Sequence, residues 1–226
     1  MPDLSFQIIG AAPLAHAAAP ALLFELSIAN ASAAEQIQSI LLQCQIRIET
    51  TRRHYSIVEQ HQLRELFGPA EQWHRSLHSL LWTHTTLFVP AFSGSTRVDM
   101  PVPCTFDFNV AATKYFAAQE QGEIPILALF SGSVFYRGAG GLLQVAQISW
   151  EKEAAYAVPV KAWKTMMQRY YPDSAWLCLR RDTFDRLHQY KTDSGLPTWE
   201  AALENLLLGA CAADGKNANG GAGVDT

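Results

Sequence analysis

His74 and His78 stand four residues apart, the spacing that on a helix sets two imidazoles on one face, where they can share a metal ion. Five of the seven histidines lie between His54 and His84, so His84 or His61 is at hand as a third ligand for Zn²⁺ or Ni²⁺. The glutamate that would make such a pair hydrolytic is missing, because Arg75 follows His74. The chemistry open to His74, His78 and His84 is therefore metal binding without hydrolysis. The competing reading, solvated or capping histidines beside Trp73 and Arg75, is the commoner use of such residues.

Nucleophile and phosphate motifs are absent. Ser93-Gly94-Ser95 and Ser131-Gly132-Ser133 lack the G-x-S-x-G elbow and read as a turn or a strand kink. Gly138-Ala139-Gly140-Gly141 precedes another strand pattern, so no helix N-terminus follows to bind a phosphate. Asp99 and Asp107 fall on the polar phase of strand patterns, where solvated carboxylates are the rule. Cys44, Cys104, Cys178 and Cys211 show neither C-x-x-C nor zinc spacing. Cys44 and Cys104 sit on apolar phases and read as buried thiols. Trp82 lies between them in sequence, but the tryptophan of immunoglobulin domains follows its first cysteine much more closely. No catalytic residue is assigned.

Aromatics gather late in the chain. Trp163, Tyr170, Tyr171, Trp176 and Trp199 all fall in helical patterns, where large rings glue helices to an outer sheet face. The alternative makes Trp163, Tyr170, Trp176 and Trp199 an exposed patch for a partner protein, since aromatics dominate interface hot spots.

The elements that must position these residues follow from periodicity. Leu4–Ile9 is a short strand. Leu22–Ile28 and Ile37–Glu49 alternate apolar and polar around a short polar connection, which suggests antiparallel pairing in a sandwich. Ser56 and Glu59 form a capping box opening a helix with Leu63, Leu66 and Phe67 on its stripe, and Gly68-Pro69 stops it. Trp73, Leu77 and Leu81 recur at fours, so 70–80 is expected to be helical. Strands are expected at Thr83–Val89, Thr96–Met100, Cys104–Phe108, Ile126–Tyr136, Leu142–Ile148 and Ala154–Val158. Pro101 and Pro103 bar the stretch around Val102 from a central strand. Helices are expected at Ala111–Gln119 and Val160–Tyr170, after Asp182, and after Thr198.

The fold class expected is mainly β: an antiparallel β-sandwich, immunoglobulin-like or related, with a helical insert and C-terminal helices. Residues 1–159 form the sandwich with its insert near 56–80, residues 160–208 a helical region packed on it, and residues 209–226 a disordered tail poor in buriable groups.

The 226-residue chain is 49% hydrophobic and 17% charged, with net charge −4 and pI near 6.0. An acidic balance disfavours nucleic acid and anionic membrane as partners. The apolar stretch from Ala11 to Leu26 is broken by Pro13, His16 and Pro20, so no membrane insertion is expected. Asp3 stands where a secretion signal needs positive charge, which points to the cytoplasm.

The segments Cys44–Glu49, Leu81–His84, Val102–Thr105, Lys152–Ala155, Arg180–Thr183 and Leu196–Trp199 together resemble an uncharacterised bacterial family, from about Asp3 to Leu208. The resemblance implies genes near an actinobacterial-type nickel–iron uptake hydrogenase, and hence a partner among hydrogenase subunits or maturation factors. It assigns no activity and no functional residue. The leading expectation is a non-catalytic accessory protein that binds another protein. The alternatives are a nickel- or zinc-handling protein using the histidines around 74–84, and an enzyme of unknown reaction.

Overall fold

The two-residue rhythm does build strands, but it divides them between two sheets. The computed structural model describes residues 2–32, 35–107, 110–138, 140–174 and 177–217, the last seven by backbone alone. The chain opens with β1 (Leu4–Pro13), β2 (Ala21–Asn30) and β3 (Gln36–Ile48). Short helices α1 (Ile57–Gln62), α2 (Arg64–Phe67) and α3 (Trp73–Ser76) precede β4 (Leu80–Val89) and β5 (Ser95–Pro103). Then come α4 (Ala111–Ala118), β6 (Glu123–Arg137), β7 (Leu143–Gln147), β8 (Glu153–Pro159) and α5 (Val160–Tyr170). One sheet has the order β1–β2–β5; the other runs β4–β3–β6–β7, with β8 also paired to β6. Every pairing is antiparallel, so the fold is a mainly antiparallel β-sandwich.

The expected pairing of Leu22–Ile28 with Ile37–Glu49 is corrected: β2 and β3 lie in different sheets. Each presents a row of fully buried side chains, Leu22, Phe24, Leu26 and Ile28 on one and Ile40, Leu42, Ile46 and Ile48 on the other. Two such faces are both covered only when they oppose each other across a core. Asn30 holds the crossing. Its Oδ1 accepts from the Asp3 and Ser32 N–H groups at 3.0 and 3.2 Å, and its Nδ2 donates to the Ser32 and Glu35 carbonyls. Ring contacts bridge the layers: Phe6 stacks on Phe130 at 4.4 Å, and Phe24 meets Tyr156 and Trp82 edge-on.

Gly132 is the kink in β6. Its φ is +129°, and a Cβ there would lie 2.1 Å from the Leu41 carbonyl oxygen on β3. Only glycine allows that approach. The kink marks where β6 exchanges one neighbour for another: β8 pairs with Glu123–Leu129 and β7 with Ser133–Arg137, end to end along the same side.

Two further expectations are corrected. Cys104–Asp107 leave the strand after Pro103, and Phe108 lies outside the described residues. The helix expected over 70–80 is only a 3₁₀ turn at Ala70–Gln72 and the four-residue α3, because Leu77 turns extended. Pro101 and Pro103 lie on β5, an edge strand, as their missing N–H groups require.

The chain divides into two compact units, Met1–Leu177 and Cys178–Thr226. Helix α5 belongs to the first and buries Trp163, Met166 and Met167. The second holds α6 (Arg181–Asp193) and α7 (Trp199–Asn217), joined by a turn with Gly195 at φ +63°. Thr198 Oγ1 accepts the Ala201 N–H at 3.1 Å, the expected cap. The α7 backbone continues through the Gly/Ala-rich segment to Asn217, past the start expected for a tail at Gly209. Among the described residues, no helix is long and apolar enough to cross a membrane.

Candidate functional site

The β6–β7 hairpin turns on glycines: the Gly141 N–H donates to the Gly138 carbonyl at 2.8 Å, and Gly141 takes φ +74°. Bonds at its two ends fix the parity of the ladder. Gly138 N–H donates to Leu142 O at 3.3 Å and Ile148 N–H to Gly132 O at 2.9 Å, so the even-numbered residues of β7 bond to β6. The N–H and C=O groups of Leu143, Val145 and Gln147 therefore point to the opposite edge. Among the described strands, only β6 pairs with β7.

The same three residues carry their side chains on the outer face of the sheet. Leu143 is 63% exposed and Val145 56%. Val145 stands opposite half-buried Phe135; two residues further along, Gln147 stands opposite Ser133, which on its other side faces exposed Leu41, itself opposite exposed Phe88 on β4. Leu142 precedes the strand at 73% exposure, and Trp150 follows it in the next loop at 88%. The sequence of β7, Leu-Gln-Val-Ala-Gln, has neither a charge nor a proline.

Every other edge is guarded. β5 carries Arg97, paired with Glu25 at 3.2 Å, then Asp99, Pro101 and Pro103. β1 is interrupted by a bulge between Ile8 and Gly10 and ends at Pro13; β8 starts at Glu153 and ends at Pro159. β4 has an extra residue, Trp82, at its bulge, and its Thr85 hydroxyl reaches the Pro101 carbonyl of β5. Charge, proline and bulges are the ordinary means of blunting an edge. β7 has none of them.

The residues singled out from sequence lie elsewhere. His74 is on α3, with Nδ1 3.1 Å from the Glu71 carbonyl; His78 lies beyond the helix end, with Nδ1 2.6 Å from the Ser76 carbonyl. The shared helical face therefore does not form. His84 is exposed on β4 opposite Gln45, and His61 is exposed on α1. Among the described residues, no three His, Cys, Asp or Glu side chains could hold one metal ion. Trp163 is buried, stacked on Phe116 at 5.5 Å, and Tyr170 donates its hydroxyl to the Ala17 carbonyl at 2.8 Å. Trp199 packs on Phe184 and His188 within the second unit. Trp176 lies outside the described residues. Among the described residues the exposed aromatics are Phe88, Trp150 and Phe184, with Trp150 the most exposed, and the sequence pattern marks none of them as a partner residue.

Perturbed titrations belong to the core. Burial pushes the Cys44 and Cys104 thiols up to about 12, so both stay protonated near neutrality and are poor nucleophiles. Cys104 lines a small cavity of ≈ 200 Å³ with Trp82, Phe116 and Trp163. A wider groove of ≈ 740 Å³ runs along α5 past Phe106, Lys164, Gln168 and Tyr171, and among the described residues no acid, histidine or cysteine lines it. Glu59, in the insert, is buried and pinned. Its Oε1 accepts from Arg53 at 2.7 Å and from the Glu120 N–H at 2.9 Å, and its Oε2 from the Ser56 N–H at 2.9 Å. Burial alone would raise its carboxyl, but those N–H groups and the guanidinium outweigh it, and the net value lies below the ordinary 4.5. Arg53 also donates to the Glu123 and Gln121 carbonyls, tying the insert to the start of β6.

The first unit is a two-sheet antiparallel sandwich in which, among the described strands, the edge at β7 is open. Residues 1–215 match a family model, and the chain belongs to that family of unknown function, DUF6084. No curated protein matches it. Among solved structures, the CARDB domain of the PF1109 protein from Pyrococcus furiosus, in complex with di-metal ions, is 11% identical over 70% of this chain and 92% of that one, with TM-score 0.28. The putative ApaA protein from Bordetella pertussis is 11% identical over 70% and 95%, with TM-score 0.25. β-Glucosidase 3B from Thermotoga neapolitana is 10% identical over 69% of this chain and 17% of its own, with TM-score 0.26.

Proposed function

We propose that the protein is a non-catalytic, cytoplasmic accessory protein that binds another protein through the outer face and open edge of β7. By the family resemblance, that partner belongs to the assembly or maturation of a nickel–iron hydrogenase. The observation carrying the reading is the coincidence of exposed Leu142, Leu143, Val145 and Trp150 with the one unguarded edge among the described strands. Exposed apolar side chains at or near an unpaired strand edge suit an interaction site. The groove along α5, whose described lining residues include no acid, histidine or cysteine, gives a catalytic reading no residue to start from.

Co-purification from the native cell tests it. The tagged protein should retain a hydrogenase subunit or a maturation factor, and a Leu143→Lys/Trp150→Ala variant of unchanged fold should lose it. A wild-type protein that retains neither kind of partner contradicts the reading.

A further inference from the structure

We infer that β7 takes its partner as an added β-strand: an extended, uncharged polypeptide segment with alternating apolar side chains. This rests on the protein-binding reading above and specifies its chemistry. The outward N–H and C=O groups of Leu143, Val145 and Gln147 repeat every second residue, about 6.8 Å apart along the strand. Only an extended backbone offers donors and acceptors with that repeat; a helix has already spent its own. The added strand's outward side chains would continue the row set by Phe135 and Val145, which is apolar. With no charge on β7 to be met, a charged occupant gains nothing there.

A second copy of the chain is the weaker occupant. An antiparallel self-pair centred on Val145 sets Leu143 opposite the second copy's Gln147 at both ends, apolar against polar, over only five residues. A segment from another protein carries no such mismatch.

The test titrates the full-length ¹⁵N-labelled protein with a blocked peptide of about eight alternating Val and Thr residues, following amide shifts and hydrogen exchange. The peptide should protect the amides of Leu143, Val145 and Gln147. Val145→Pro deletes one outward N–H while leaving the bonds of Gln144 and Ala146 to β6, and it should weaken binding at least about tenfold. The same peptide N-methylated on alternate amides probes the bond from the other side and does not depend on the variant folding; it too should bind at least about tenfold more weakly. No peptide binding, or binding indifferent to both changes, overturns the inference. So does protection of the three amides by self-association without peptide. If Leu143→Lys loses the native partner while Val145→Pro keeps it, strand addition fails and the protein-binding face survives.

Discussion

The helical insert and the β7 edge dispose of their polar groups in opposite ways. In the insert, the Glu59 carboxylate meets two backbone N–H groups and a guanidinium, and Arg53 donates through Nη1 and Nη2 to Glu59 and two carbonyls. At β7, a row of backbone groups faces outward among exposed leucine, valine and tryptophan. Internal satisfaction makes a region structural, and unspent bonding capacity beside apolar surface makes one available. Substitutions should therefore separate stability from binding, in opposite directions at the two places.

The largest expected effect is on folding. Glu59→Gln leaves the Arg53 guanidinium, only 10% exposed, without its counter-charge, and should cost about 3–5 kcal/mol by chemical denaturation. Partner binding, measured where the variant is still folded, should not change. Gly132→Ala combines backbone strain with a clash against the Leu41 carbonyl and should cost about 3 kcal/mol; a near-neutral result would break the claim that β6 must kink there. The Glu59 contribution is also pH-dependent. Because the folded carboxyl lies below its unfolded value of 4.5, the stabilisation is complete above that pH and fades as pH falls toward the folded value. The gap in Tm between wild type and Glu59→Gln should narrow as pH is lowered from about 7 to about 3. At the other region, Trp150→Ala should change stability by less than about 0.5 kcal/mol, because the ring is 88% exposed, while weakening partner capture. A large loss of stability there would mean that the loop is structural after all.

What the sequence made legible is what is local. The Ser56–Glu59 capping box forms, with both reciprocal bonds, because its partners lie three residues apart. The α5 boundaries, Val160–Tyr170, agree with the apolar stripe of Trp163, Met166 and Met167. The helix over 70–80 was over-extended because Leu77 and Leu81 happen to continue Trp73's spacing of four. The Ser76 hydroxyl bonds back to the Phe67 and Gln72 carbonyls, and at Leu77 the chain goes extended instead. That early ending is what separates His74 from His78. Sheet membership and the open edge depend on strand order, which joins residues as far apart as Gln36 and Arg137, and no local pattern encodes it. Trp150 did leave a signal: a large ring flanked by Ser149, Glu151 and Lys152 in a polar stretch between two strands.

Amide hydrogen exchange along β7 in the uncomplexed full-length protein tests the open edge most directly. We expect alternation: slow exchange at Gln144 and Ala146, bonded to β6, and fast exchange at Leu143, Val145 and Gln147. Uniform slow exchange across all five residues would mean that the edge is already closed, and would contradict the site assigned to it.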